Sequence, residues 1–94
     1  MIRPKYLIVY DITKNKLRRK VQKELEKYGF RWQYSTYYCE IPKKQLNFVK
    51  EKLDGYMDKS DSIIWIPLTD KLIHDIDFMG NFKFKIKKGE INIF

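Results

Sequence analysis

Three features of this 94-residue sequence predict a single α+β domain. The apolar run Lys5-Tyr6-Leu7-Ile8-Val9-Tyr10 has the aromatic and β-branched content of a buried strand. Two later stretches repeat apolar residues at spacings of three and four, the period of one helix face. Short β-rich segments lie between and after those stretches, bounded by turn residues.

Taken in order, the first strand stops on Asp11, just ahead of a basic helix whose apolar stripe is Leu17, Val21, Leu25 and Tyr28. Thr13 or Asp11 can cap its start, and Gly29 stands where a helix-ending glycine is expected. Its polar face carries Lys14, Lys16, Arg18, Arg19, Lys20, Lys23 and Lys27. Phe30 to Gln33 and Thr36 to Ile41 form two strands around a Tyr34-Ser35 turn. Pro42 opens a second helix, where its missing N–H costs nothing, with Leu46, Val49, Leu53 and Tyr56 as the buried stripe. Asp58 to Asp61 is a turn, and Ser62 to Pro67 is an apolar strand. The order β-α-β-β-α-β is the ferredoxin-like arrangement, an antiparallel sheet with both helices on one face.

Beyond this plan, Phe82, Phe84 and Ile86 alternate with Lys83, Lys85 and Lys87, and Ile91 and Ile93 continue the alternation. Residues 1–94 therefore divide into a core over 1–78 and a C-terminal strand extension over 79–94. An extra strand has to join a sheet edge, its own or a second subunit's, and a dimer interface is the expected place.

Twenty Lys and Arg face 12 Asp and Glu, a formal charge of +8, which favours a polyanionic partner. Seven Tyr, six Phe and two Trp exceed the needs of so small a core, so some are candidates for base stacking or a subunit interface. The single Cys39 excludes an intrachain disulfide or a cysteine-based zinc cluster and suits a reducing cytoplasm. No apolar stretch has the length of a signal or a membrane span, so a cytoplasmic location without membrane contact is expected. Neither a P-loop nor a nucleophile triad is visible.

The segments Tyr10-Asp11-Ile12, Gly29-Phe30-Arg31-Trp32-Gln33-Tyr34-Ser35-Thr36-Tyr37 and Cys39-Glu40-Ile41 resemble the CRISPR-associated protein two family. Ile66-Pro67-Leu68 and Phe78-Met79-Gly80 extend the likeness, with Thr36-Tyr37 standing where the family commonly has Val-Phe. The resemblance implies a homodimer completed by exchanged C-terminal strands, with Asp11 of each chain facing the other across the two-fold axis. It also implies a role in CRISPR adaptation, the acquisition of spacers, in antiviral defence. The implied activity is that of a magnesium-dependent endonuclease on single-stranded RNA or double-stranded DNA, working beside an integrase subunit.

A carboxylate fixed at a strand end among cations is poised to hold a divalent metal against phosphate. By that argument, joined to the resemblance, Asp11 is the candidate catalytic residue and ligand for magnesium, or manganese in its stead. Its local alternative is to cap the helix or fix the turn. The candidate nucleic-acid contacts are Tyr10, Lys14, Lys16, Arg18, Arg19, Lys20, Arg31, Ser35 and Tyr37. Arg31 offers a planar fork for phosphate, and Ser35 offers a hydroxyl or merely ends the turn. Tyr10 and Tyr37 either stack on bases or pack the core. His74-Asp75-Ile76-Asp77 is expected to be an exposed edge rather than a metal site. The competing function is a non-catalytic duplex-binding scaffold, which needs the lysines and can spare Asp11. A generic RNA-binding module ranks behind both, because its strand-borne aromatic signature is missing.

Overall fold

A computed structural model describes residues 3–80. Four strands, β1 (Lys5–Asp11), β2 (Gly29–Gln33), β3 (Thr36–Glu40) and β4 (Ser62–Leu68), form one sheet in the order β2-β3-β1-β4. Every pairing in it is antiparallel. Helices α1 (Asn15–Leu25) and α2 (Leu46–Asp54) provide the two crossovers, giving the ferredoxin-like fold that the sequence predicts. The predicted strand through Phe82, Phe84 and Ile86, with Ile91 and Ile93 after it, lies outside the described residues.

Both helices pack on one face of the sheet. Ile8, Tyr10, Tyr37 and Cys39 alternate inward from β1 and β3 to meet Val21 and Leu25 of α1 and Val49 and Leu53 of α2. Every one of these side chains is essentially sealed from solvent. Burial raises the Cys39 thiol's pKa to about 12, which makes it an inert core residue whose S–H points at the Leu25 carbonyl, 3.6 Å away. Pro42 precedes a single 3₁₀ turn, Lys43–Gln45, which leads into α2.

Gly29 does not end α1. That helix stops at Leu25, and Glu26 to Tyr28 wind on as a turn, with Tyr28 N donating to Leu25 O at 3.0 Å. Gly29 instead opens β2 directly opposite Cys39, where a Cβ would fall 1.8 Å from the Tyr38 carbonyl oxygen. A close approach between strands requires this glycine, not a left-handed backbone.

Among the described residues, the sheet's second face is covered only at one end. There a short third helix, α3 (Asp70–Asp75), seats Ile73 against Phe30 and Tyr38, with Trp32 and Leu68 alongside. Thr69 caps it, its hydroxyl accepting from Leu72 N at 3.1 Å. Lys5 of β1 pairs with Asp70 at 3.5 Å. Sequence periodicity misses a helix of six residues, though Thr69-Asp70 carries the start signal. His74 and Asp75 lie exposed on it, as expected.

Candidate functional site

Asp11 ends β1 and is exposed, opposite Ser62 of β4. Side chains alternate along a strand, so the inward-facing Ile8 and Tyr10 put Leu7, Val9 and Asp11 on the sheet's other face. Cross-strand partners share a face. Leu7 lies opposite Ile66, and Val9 lies opposite Ile64. Ile64 is 57% exposed and Ile66 is 38% exposed. Asp11 thus stands at the end of an apolar strip that no described residue covers and that α3 does not reach.

Asp11 caps nothing, and neither does Thr13. The residue before α1 is Lys14, and no side chain caps it. The turn is held from across the fold, where Asp61 accepts from Thr13 N at 3.2 Å and from Asp58 N at 2.9 Å. Asp58 in turn binds the Lys14 amino group at 2.9 Å and raises its pKa. The neighbouring carboxylates are therefore engaged, while Asp11 has no hydrogen bond or ion pair among the described residues. Sequence reasoning took Asp58 and Asp61 as a turn and nothing more; their contacts with Thr13 and Lys14 span over forty residues, and no local pattern signals them.

The candidate cations on and just before α1 fall into two sets. Lys14 and Arg18 sit at the β1–α1 junction near Asp11. The Arg18 guanidinium donates to Ile12 O at 3.1 Å and to the Asn15 side chain, which folds it over the loop. Lys16, Arg19, Lys20 and Lys23 instead line a concave surface along α1 with Gln22 and Glu26. That surface lies on the helix side of the sheet, a layer away from Asp11. It continues toward α2, where Lys20 lies over the Tyr56 ring at 5.7 Å, and Lys27 and Lys52 both bind Glu24, at 3.0 and 3.1 Å. Glu24 is only 4% exposed. Burial pushes its carboxyl up, but the two lysines outweigh that and hold it below the usual value. Arg31 is exposed on β2, paired with Tyr37.

Tyr10 and Tyr37 cannot stack on bases. Their rings are 2% and 1% exposed, 6.1 Å apart inside the core. The Tyr37 hydroxyl donates to Glu26 at 3.1 Å, and burial together with that carboxylate raises its pKa. Tyr10 has a positioning role: its hydroxyl accepts from Gln22 at 2.8 Å and donates to the Tyr34 carbonyl at 3.3 Å. Its backbone N–H donates to Ser35 O at 3.0 Å, so Ser35 closes the turn through its main chain.

No group of three or more His, Cys, Asp or Glu side chains that could hold a metal occurs among the described residues. Asp11 offers carboxylate oxygens that no described residue occupies, and magnesium characteristically binds proteins through one or two carboxylates while keeping several waters. No described helix is long and apolar enough to cross a membrane.

Fold and site together define a ferredoxin-like α+β protein with an exposed carboxylate, Asp11, at the end of β1 and a basic surface along α1. Residues 4–76 match the family model described as CRISPR associated protein Cas2, and the chain belongs to that family. It is 34% identical over 76 residues to a Synechocystis protein named CRISPR-associated endoribonuclease Cas2 3, across 80% of this chain and 83% of that one. The structure of Streptococcus pyogenes Cas2 superposes with a TM-score of 0.74 at 27% identity, covering 81% of this chain and 99% of the other. A Thermus thermophilus structure called hypothetical protein TT1823 reaches the same TM-score at 22% identity, covering 85% and 94%, and shows the shared fold.

Proposed function

We propose that this chain is a CRISPR adaptation subunit, a homodimer that binds nucleic acid and cleaves phosphodiesters with magnesium at Asp11. The observation that carries this reading is the contrast at the β1 end. Asp58 and Asp61 are tied into the fold, while Asp11 projects unengaged from a rigid strand beside Arg18. The Synechocystis relative's endoribonuclease name makes single-stranded RNA the first substrate to test, with double-stranded DNA the second.

A second copy laid on the strip of Leu7, Val9, Ile64 and Ile66 would bury it and bring another Asp11 to the same end of the sheet. An open apolar face on so small a domain supports such pairing. Two carboxylates and a substrate phosphate form an oxygen donor set of the kind magnesium accepts. Bound there, magnesium would polarise the phosphodiester and lower the pKa of a water. The chain's own residues orient the site: Tyr10 pins the adjacent turn, and Arg18 and Lys14 draw phosphate toward the junction.

Asp11→Asn should abolish magnesium-dependent cleavage of RNA and duplex DNA while leaving melting temperature and binding nearly unchanged. Cleavage equal to the parent's would remove Asp11 from the reaction.

The layer between Asp11 and the lysine-lined surface of α1 favours a second reading, a scaffold that grips duplex backbone for an integrase partner. Tight, steeply salt-dependent duplex binding without cleavage by either protein would select it.

A further inference from the structure

We propose that Tyr34, at the tip of the β2–β3 turn, is a stacking platform for an unpaired base. The inference deepens the nucleic-acid reading above and rests on it. Tyr34 is 77% exposed, and among the described residues no other ring lies against it. An aromatic left in water is ordinarily held by a loose loop, but this turn is fixed. Tyr10 N donates to Ser35 O at 3.0 Å, and the Tyr10 hydroxyl, itself held by Gln22, donates to Tyr34 O at 3.3 Å.

The pairing of β1 with β3 runs from Lys5–Glu40 to Val9–Thr36. The Tyr10 N–H to Ser35 O hydrogen bond carries this edge on into the turn, so the turn that bears Tyr34 lies at the same end of the sheet as Asp11. A single strand held at that end of the sheet can therefore lay a base on this ring. The ring is uncharged and presents a π-face, which suits a base rather than a phosphate. Bases in a duplex already stack on each other, so the platform serves unpaired ones.

Fluorescence anisotropy of the full-length protein with a labelled uridine-rich single-stranded RNA and a blunt DNA duplex tests this. Tyr34→Ala should weaken single-strand binding roughly 5- to 100-fold and duplex binding less than about twofold. Because stacking is not ionic, the slope against salt should stay the same. Tyr34→Phe, which keeps the ring, should bind like the parent. Unchanged single-strand affinity in Tyr34→Ala, an equal loss on the duplex, or a shift in oligomeric state by sedimentation would each overturn the inference. A parent that binds neither probe would overturn it together with the nucleic-acid reading. The expected pattern alongside unimpaired cleavage by Asp11→Asn would uphold Tyr34 while removing Asp11.

Discussion

The two faces of the sheet are built from the same apolar residue types, yet they end in opposite conditions. On one, Ile8, Tyr10, Tyr37 and Cys39 disappear beneath α1 and α2. On the other, among the described residues, Ile64 and Ile66 are left exposed and Leu7 and Val9 half-buried where α3 does not reach, with Ile64 57% exposed. The covered face makes the subunit a stable object. The second face carries Asp11, so the carboxylate proposed for chemistry stands apart from the core that holds the subunit together. That separation lets substitutions in the core and on the second face be tested almost independently.

The largest expected effect tests the covered face. Leu25→Ala should lower unfolding free energy by about 2–5 kcal/mol, because a fully enclosed side chain leaves a cavity that rigid neighbours fill poorly. A denaturant melt measures it, and a loss under 1 kcal/mol would mean that this core is far looser than its burial indicates.

Ile64→Lys tests the open face. The charge can stand in water on the exposed subunit, so secondary structure by circular dichroism should hold. Sedimentation should change from dimer to monomer, since a lysine ammonium would be desolvated between apolar strips. A dimer that survives this change would put the interface elsewhere.

The smallest effect concerns Glu24, which joins the helix layer to the lysine surface. Its carboxyl lies below the ordinary 4.5, so the charged form is favoured in the folded protein. That contribution is complete above about pH 4.5 and fades as pH falls through the lower folded value. Glu24→Gln should cost about 1 kcal/mol near neutral pH, as Lys27 and Lys52 stay partly hydrated. It should also flatten the acid limb of a stability-against-pH curve. An unaltered acid limb would show that Glu24 plays no part in it.

Periodicity made α1, α2 and the four strands legible, because Val21, Leu25, Val49 and Leu53 repeat at the spacing of the faces they bury. Asp11 was legible as well, since a carboxylate after an unbroken strand run has one place to go. What local patterns could not supply was tertiary reach. Gly29 has the position of a helix-ending glycine, but its real constraint is the Tyr38 carbonyl on another strand. Thr13 and Asp11 had the chemistry of caps, but no side chain caps the helix, and Asp61, distant in sequence, holds the turn before it. Tyr10 and Tyr37 could have faced either way, and only packing against the helices decides it. Tyr34 looked like an ordinary turn residue until its backbone partners were visible.

The Tyr10 hydroxyl, accepting from Gln22 and donating to Tyr34, joins a helix to a hairpin tip through one oxygen atom. Those two surfaces are tied by that one atom. Removing it, as Tyr10→Phe would, cuts the helix and the hairpin tip apart at a single stroke while leaving the ring in the core.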